Sequence, residues 1–344
     1  MKRFAIVAGV AAVFAGIALV LERKLIAAPP YRGPQSDHFD GERFHNHQSG
    51  WQTEGSFLKW QMTRQPGFWP KWIDAVPGPP PTPNVGGDAL RVTVVNHATT
   101  LIQMDGVNIL TDPIWSERCS PVSFAGPKRH RPPGIRFEDL PKIDIVLVSH
   151  NHYDHLDVPT LRALELRDAP IILSHLGNSA LMARSDLTGR DLDWWNGLDV
   201  KGVKITSVPA QHFSARGLSD RDATLWGGFV ISGSSGNVYF AGDTGWGKHF
   251  AEIAQRFAPI RLALLPIGAY LPRWFMKSAH ITPAEAVDAH IALNAKTSVP
   301  MHYGTWALGD DGEAQPLEDL RAAIAARAVS GFEILEFGRA LNVR

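Results

Sequence analysis

The sequence predicts an α/β protein in which two β-sheets pack face to face and helices cover their outer sides. One observation is the order of the pattern: short apolar runs come first in a group and then alternate with helical stretches. This order is typical of layered sheets covered by helices. A second observation is that side chains able to bind metal ions directly follow four of the apolar runs. The chain of 344 residues is long enough for one large domain or two.

The N-terminal segment, residues 1–28, is predicted to be a membrane anchor. Lys2 and Arg3 precede Phe4 to Leu21, eighteen residues without a charged or polar side chain. As a helix this run spans about 27 Å, close to the hydrocarbon thickness of a bilayer. A cleaved signal peptide is the alternative, although its apolar region is usually shorter. The basic residues before the run favour a bacterial inner-membrane protein whose main domain lies in the periplasm.

Residues 29–90 are predicted to form an extension rather than part of the core. Five prolines between Pro77 and Pro83 indicate a stiff, extended linker. Earlier in the segment, aromatic side chains recur at Trp51, Phe57, Trp60, Phe68, Trp69 and Trp72. They either pack on the surface of the domain or form a lipid-facing lid, since tryptophan favours the membrane boundary.

Residues 91–344 have the pattern of a folded domain. Strands are predicted at Arg91–Val95, Thr100–Met104, Val107–Leu110, Ile143–Val148, Ile171–Leu173, Val203–Val208, Leu225–Ile231, Val238–Phe240, Leu262–Pro266 and Ser298–Met301. Helices are predicted at Val158–Glu165, Lys248–Phe257, Pro283–Leu293 and Leu317–Ala326. The third helix has a capping box, because Thr282 precedes it and Glu285 follows three residues later.

The densest group of metal-binding side chains lies between Ser149 and His155. Its three imidazoles and one carboxylate suit Zn²⁺, Fe or Mn better than soft metals. Buried side by side, such groups would each need a partner. Further candidate ligands follow three other strand ends, at His212, Asp243 and His302. Because sites in open α/β folds form outside the carboxyl ends of strands, these donors predict a two-metal site.

The pattern His150-x-His152-x-Asp154-His155, with the three later ligands, resembles the signature of the metallo-β-lactamase superfamily. Within it, the chain is similar to the N-acyl-phosphatidylethanolamine-hydrolysing phospholipase D family. The resemblance runs from about Arg91 almost to the C-terminus. It includes Thr111-Asp112-Pro113, Gly126-Pro127-Lys128-Arg129, Ser149 to Asp157, Asp193-Trp194-Trp195, Leu225-Trp226-Gly227, Phe240 to Gly245, Pro266 to Tyr270 and Pro272 to Met276.

The resemblance implies an αββα four-layer sandwich that binds two Zn²⁺ ions. The first ion would be held by His150, His152 and His212, the second by Asp154, His155 and His302, with Asp243 bridging the two. Asp154 and His280 are then the candidate catalytic residues, and His280 would contact the phosphate or protonate the leaving group.

Residues around the ligands are expected to orient them or to bind the substrate. Metal-bound histidines usually donate their second ring N–H to a carboxylate or carbonyl, and Asp112 is a candidate acceptor. His97 either supports the site or is a core histidine with a satisfied hydrogen bond. Tyr270, Arg273 and Trp274 belong to the segment most specific to the phospholipase family and are candidates either for supporting the ligands or for binding the substrate.

Taken together, the resemblance and the anchor predict a membrane-tethered zinc phosphodiesterase acting on N-acyl-phosphatidylethanolamine or a related phospholipid. Metal-bound hydroxide would attack phosphorus, the head-group alcohol would leave and phosphatidate would remain. One alternative is a zinc-dependent lactonase or another phosphodiester hydrolase of the same superfamily. The other is a membrane-anchored envelope protein whose zinc is structural, although structural sites are normally closed and mononuclear.

The expected partners are a phospholipid substrate and a membrane. No nucleic acid is expected, because 34 basic residues balance 34 acidic ones. The sequence leaves a homodimer open. Cys119 is the one cysteine, so no intrachain disulfide can form, and we expect it to behave as a small buried hydrophobic residue.

Overall fold

The computed structural model describes residues 22–48 and 56–344. Its strands are β1 (Leu90–Asn96), β2 (Thr99–Met104), β3 (Val107–Thr111), β4 (Ile145–Leu147), β5 (Ile171–His175), β6 (Gly189–Leu192), β7 (Gly197–Val200), β8 (Val203–Val208), β9 (Gly228–Gly233), β10 (Gly236–Phe240), β11 (Ile260–Pro266), β12 (Ala295–Met301) and β13 (Ala340–Val343). The α-helices lying wholly within these ranges are α1 (Phe57–Thr63), α2 (Val158–Asp168), α3 (Asn178–Ala183), α4 (His249–Phe257), α5 (Arg273–Met276), α6 (Pro283–Ala292) and α7 (Gln315–Arg327). A 3-10 turn lies at Phe137–Asp139.

The strands form two mixed sheets. The first has the order β13-β1-β2-β3-β4-β5-β6 and is antiparallel from β13 to β3 and parallel from β3 to β6. The second has the order β12-β11-β10-β9-β8-β7 and is antiparallel from β7 to β10 and parallel from β10 to β12.

Alternating side chains on the first sheet separate two apolar layers, as expected for strands buried on both faces. One layer lies against helix α2 and contains Leu101, Leu110, Val146, Leu161 and Leu164. Side chains on the other face of the first sheet pack against the second sheet. Their cluster contains Ile102, Ile109, Leu147, Val230 and Leu264. Helix α6 packs on β11 and β12, and α4 and α7 pack on α6. The predicted two-sheet α/β fold, with helices outside, is therefore confirmed.

Most of the predicted elements form, with shifted ends. Strand β8 has the predicted bounds, and the capping box of α6 is present: Glu285 N–H donates to Thr282 Oγ1 at 3.0 Å, and Thr282 N–H donates to Glu285 Oε2 at 2.7 Å. The prediction that a strand begins at Leu225 is wrong. Leu225 N–H donates to Leu176 O and Gly227 N–H to Ser149 O, both in loops, so pairing along β9 begins only at Gly228.

The extension contributes core residues, which the sequence did not predict. Phe39 and Phe44 are buried in an aromatic cluster with Trp194 and Trp226. Of the aromatic residues in the second half of the extension, Trp60 is buried, while Phe68 is 82% exposed. The proline-rich linker runs along the domain, where Gly78 N–H donates to Gly134 O at 2.7 Å. Trp51 lies outside the described residues.

The predicted anchor, Phe4 to Leu21, also lies outside the described residues. Among residues 22–48 and 56–344, no helix combines the length and the apolar character needed to span a membrane.

Candidate metal centre

The predicted ligands meet at one edge of the two sheets. His150 to His155 lie in the loop after β4, while His212 follows β8, Asp243 follows β10 and His302 follows β12. All seven are at least partly buried, and five of them are 3% exposed or less: His150, His155, His212, Asp243 and His302. The sandwich therefore brings together residues that are up to 152 positions apart, from His150 to His302.

One half of the cluster consists of three imidazoles whose ring nitrogens converge. His150 Nε2 lies 2.7 Å from His152 Nδ1, which lies 3.3 Å from His212 Nε2. The ligands of a tetrahedral zinc ion, each about 2.0–2.1 Å from the metal, are roughly 3.3 Å apart. This half has the donor set and close spacing of a three-histidine metal site.

The other half combines two imidazoles with two carboxylates. His155 Nε2 lies 3.2 Å from Asp154 Oδ2 and 3.1 Å from Asp243 Oδ2. His302 Nε2 lies 3.4 Å and 3.0 Å from the same two oxygens. Asp243 Oδ2 is also 3.9 Å from His212 Nε2, so this carboxylate lies between the two halves, where a bridging ligand is needed.

Buried polar atoms without hydrogen-bond partners provide a test of whether the cluster fits a metal. Within the described residues, His155 Nε2, His302 Nε2 and Asp243 Oδ1 are buried and make no hydrogen bond. Such groups are costly to bury unless something binds them. Nitrogen and carboxylate donors pointing to a common centre fit one or two divalent cations.

The second nitrogen of most ligand rings is held by a hydrogen bond. His155 Nδ1 lies 2.6 Å from Asp112 Oδ2, and His212 Nδ1 lies 2.9 Å from Ala279 O. Ser149 Oγ donates to Asp112 Oδ2 at 2.6 Å and lies 2.9 Å from His150 Nδ1. These acceptors place the ring proton on Nδ1 and leave the Nε2 lone pair facing the cluster. Asp112 is thus positioned as the acceptor that the sequence predicted.

His97 contacts two residues of the carboxylate half. Its Nε2 lies 2.8 Å from Asp154 Oδ2, and its backbone carbonyl accepts from His302 N–H at 2.8 Å. Of the two interpretations of His97, a role in supporting the site fits these contacts. The residue is nevertheless fully inside the core, with 1% of its surface exposed.

Left-handed backbone conformations occur at three residues around the cluster: His97 (φ 43°), Asp112 (φ 32°) and His302 (φ 60°). Residues other than glycine rarely adopt such angles, and the conformation costs of the order of 1–3 kcal/mol. All three follow strands closely, so the turn redirects each side chain from the strand end into the cluster.

Electrostatics divide the cluster into a neutral and a charged half. Burial lowers the pKa of His150 and His212 well below the usual value and that of His152 to about 4, so these rings are neutral lone-pair donors at pH 7. Burial also opposes protonation of His302, but Asp243 and Asp154 outweigh it and raise its pKa to about 9. The two buried carboxylates therefore require positive charge, which protons or metal ions can supply.

The same balance holds for the carboxylates themselves. Burial raises the pKa of Asp154 and of Asp243, but His155 and then His302 outweigh it and hold both values well below the usual range. Both groups are ionised at neutral pH, as metal ligands must be.

His280 lies beside the cluster, and Arg273 holds its backbone. His280 Nδ1 is 3.9 Å from Asp243 Oδ2 and makes no hydrogen bond within the described residues. Burial lowers its pKa to about 4. Arg273 donates to His280 O at 2.7 Å and to Glu285 Oε2 at 3.2 Å. The guanidinium group therefore supports the loop instead of facing the cluster.

Two other predicted substrate-binding residues point elsewhere. The Tyr270 hydroxyl donates to Asp319. Lys59 Nζ lies over the Trp274 ring, 4.7 Å from the ring centroid. Trp274 also lines a separate cavity of about 510 Å³. Neither residue, nor Arg273, is among the described residues that line the cavity over the metal cluster. The predicted roles of Tyr270, Arg273 and Trp274 at the site therefore stay predictions; of the three, Arg273 contacts the site through His280 O.

A cavity of about 830 Å³ opens onto the cluster. Its floor includes His152, Asp154, Asp243, His280 and His302. Apolar side chains form its walls: Phe57, Trp60, Phe213, Leu218, Phe275, Met276 and Leu308. Trp60 stacks on Phe275 with ring centroids 5.1 Å apart, and Trp60 Nε1 donates to Asp310 Oδ1 at 3.1 Å. The cavity thus combines a polar floor of candidate metal ligands with apolar walls.

Comparison with known proteins identifies the family. The family model described as the beta-lactamase superfamily domain matches residues 107–303, more than half of the chain. The chain belongs to the metallo-β-lactamase superfamily. It is 39% identical over 251 residues to N-acyl-phosphatidylethanolamine-hydrolyzing phospholipase D 1 of Caenorhabditis elegans, covering 69% of this chain and 70% of the relative. The resemblance to the phospholipase D family that the sequence motifs suggested is confirmed.

Two further similarities extend the comparison. An uncharacterized protein of Mycobacterium tuberculosis is 42% identical over 260 residues, covering 72% of this chain and 68% of the relative. The solved structure of Igni18, a metallo hydrolase from the archaeon Ignicoccus hospitalis, superposes with a TM-score of 0.56 at 22% identity. The superposition covers 74% of this chain and 99% of that one, and it supports the superfamily fold.

Sequence reasoning missed several residues that the fold adds to the site. Phe213, Leu218, Arg221 and Met276 line the cavity, although no spacing rule singles them out. Two of them carried a signal: Phe213 directly follows the predicted ligand His212, and Met276 belongs to the family-specific segment Pro272 to Met276.

Replacing Asp112 with Asn is expected to weaken metal binding by about 10–100-fold. The amide nitrogen would face His155 Nδ1 and favour the tautomer whose proton sits on Nε2, the atom that faces the cluster. Competition with a chromophoric chelator measures the affinity. Asp144→Asn is the matched control, because this half-buried carboxylate lies at the opposite end of β4 and accepts from Asn108 N–H. Equal affinities of the two variants would contradict the assigned role of Asp112.

Proposed function

We propose that the protein is a dinuclear zinc phosphodiesterase that hydrolyses N-acyl-phosphatidylethanolamine or a related phospholipid in the manner of a phospholipase D. Family membership and the His/Asp cluster support a metal-dependent hydrolase. Zinc, the number of ions and the lipid substrate belong to the proposal.

The observation that carries the proposal is the composition of the cavity. Its floor offers ligands for two cations, which suit an anionic phosphodiester, and its walls are aromatic and aliphatic, which suit acyl chains. An open cavity of about 830 Å³ over the cluster is unlike the closed, mononuclear geometry of structural zinc sites. These features favour an enzyme over the alternative of a structural metal protein.

The roles of the chain's own residues follow from their positions. When bound, the metal ions lower the pKa of a coordinated water and neutralise charge on the phosphodiester. His150, His152 and His212 would hold one ion, and Asp154, His155 and His302 the other. Asp243 would join the two halves through Oδ2.

His280 is placed to act on the reacting phosphate group. It lines the cavity beside Asp243, and its Nδ1 has no hydrogen-bond partner within the described residues. Arg273 fixes its backbone carbonyl, which limits the movement of the ring. With a pKa of about 4 the ring is neutral at pH 7, so it can donate an N–H hydrogen bond to a phosphate oxygen; to give a proton to the departing head-group alcohol it would first have to take one up beside the bound anionic phosphodiester.

The cavity rim supports the proposed membrane partner. Leu218 is 92% exposed and Phe57 62% exposed, and both line the cavity. Glu22 accepts hydrogen bonds from Leu218 N–H at 2.6 Å and from Ser219 Oγ at 2.9 Å. Glu22 directly follows the apolar run and is thus held at this rim. A bilayer that received the anchor would therefore meet the mouth of the cavity. The proposed periplasmic location of the domain follows from the basic residues before the run.

Incubation of the purified protein with defined phospholipids tests the function. N-acyl-phosphatidylethanolamine should yield phosphatidate and N-acylethanolamine, resolved by mass spectrometry. Stripping the metal with a chelator should abolish turnover and added Zn²⁺ should restore it, while Asp154→Ala should lose metal and activity together. Hydrolysis of a lactone without any phospholipid product would refute the proposal in favour of the lactonase alternative.

His280→Gln is expected to lower kcat by about 10²–10⁴-fold, the range typical of a lost general acid or base. Metal content should remain that of the wild type, because His280 belongs to neither proposed ligand set. Elemental analysis and steady-state kinetics separate the two effects. His45→Gln is a control at an exposed histidine that pairs with Asp40. Loss of metal from His280→Gln would instead show that it is a ligand.

Leu218→Asp is expected to reduce hydrolysis of phospholipid in vesicles at least tenfold, because a charge at the rim opposes contact with the bilayer interior. Hydrolysis of a water-soluble phosphodiester should be unchanged. Leu166→Asp is the matched control: Leu166 is 91% exposed on α2 and does not line the cavity. Equal losses in both variants would argue against a docking role for the rim.

A further inference from the structure

The segment that precedes the matched family domain reaches the metal cluster at Asn46. The family model begins at residue 107, whereas Asn46 lies in the extension. His212 N–H donates to Asn46 Oδ1 at 2.9 Å, and Asn46 Nδ2 donates to His212 O at 2.8 Å. One side chain therefore satisfies both backbone polar groups of a predicted metal ligand.

The orientation of the Asn46 amide is fixed by Trp226. Trp226 Nε1 donates to Asn46 Oδ1 at 3.1 Å, and the Trp226 carbonyl accepts from Trp194 Nε1 at 2.7 Å. A reversed amide would place its NH₂ group against two N–H donors, those of His212 and Trp226, and its oxygen against the His212 carbonyl. The observed orientation satisfies all three hydrogen bonds.

The strap, defined here as residues 36–48, holds Asn46 in place. Phe44 N–H donates to Asp222 O at 2.9 Å, and Arg43 Nη1 donates to Arg221 O at 2.7 Å. Phe39 and Phe44 pair as an isolated antiparallel bridge and are buried. The strap is thus attached to the loop of residues 212–224 at both His212 and its far end.

His212 depends on these contacts because it lies four residues beyond the end of β8. Its ring is oriented by the Nδ1 contact with Ala279 O, and its backbone by Asn46. Metal ligands must be held within about 0.5 Å of their working geometry. Loss of the Asn46 contacts would leave His212 N–H and C=O without their partners and free the backbone to shift.

We propose that Asn46 is a positioning residue for His212, and that it sets the affinity of the His150–His152–His212 half for its metal ion. The inference rests on the proposed function only in requiring that this half bind a metal. It assigns to a segment outside the matched family domain a part in building the metal centre.

Asn46→Ala in the full chain tests the inference through metal binding. Its affinity for one of two Co²⁺ or Zn²⁺ ions should fall by about tenfold or more, while the other ion binds as in the wild type. Chelator competition gives the affinities, and the visible spectrum of the Co²⁺ protein identifies the weakened half. With one ion bound, the spectrum of Asn46→Ala should match that of His150→Ala, which lacks a ligand in the same half.

Two further variants keep the test independent of folding. Asn46→Asp has nearly the same size and keeps the acceptor for His212 N–H and Trp226 Nε1, but its second carboxylate oxygen would face the His212 carbonyl where Asn46 Nδ2 now donates, so it should weaken binding of the same ion as Asn46→Ala does. His45→Ala removes the neighbouring exposed side chain of the strap and should leave both affinities unchanged. Thermal unfolding of all three metal-free variants reports any general loss of stability.

Wild-type affinities in Asn46→Ala, with or without a lower Tm, would overturn the inference and leave Asn46 a purely structural residue. Equal weakening of both ions would also overturn it. Failure of the wild type to hydrolyse phospholipid would refute the proposed function, but it would not alter these binding measurements.

Discussion

The functional edge of the protein depends on two buried carboxylates that lie within hydrogen-bonding range of the same imidazoles. Asp154 and Asp243 place their Oδ2 atoms between His155 and His302, where little of either carboxylate is exposed to water. Negative charge in such a setting is stable only beside cations, and the raised pKa of His302 expresses this requirement. Asp112 and His97 hold His155 and His302, the two residues that supply the compensating charge. The contacts that stabilise this edge of the fold are therefore the same contacts that prepare it to bind metal.

The two-layer core could be predicted from the sequence because each central strand is an apolar run with a turn on either side. Strand β8 and the start of α6 show how local the signals are: one is a buried run, and the other a capping box. The short edge strands β6, β7 and β13 were not predicted, since each has only four residues of mixed polarity. Their pairing is decided by neighbouring strands.

The His/Asp cluster could be predicted because its residues combine an unusual local density with positions at strand ends. What surrounds them could not. Arg273, predicted either to support the ligands or to bind substrate, lies on a short helix, donates to the carbonyl of His280 and pairs with Glu285. Asn46 gave no signal at all, since its role depends on a meeting between residues 166 positions apart. Side chains that act on the backbone of a ligand leave no spacing pattern.

Adjacent residues in one loop connect the apolar wall to the metal edge. Asp310 accepts a hydrogen bond from Trp60 Nε1, and Asp311 accepts one from Ala269 N–H at 3.0 Å. Gly268, which precedes Ala269, lies against the His302 carbonyl. The wall that would face an acyl chain and the turn that carries His302 are thus connected through adjacent residues of one loop. An outward movement of this wall would therefore disturb the turn that carries the predicted ligand His302. The substrate range of such a protein would instead be altered by replacing the side chains that project into the cavity.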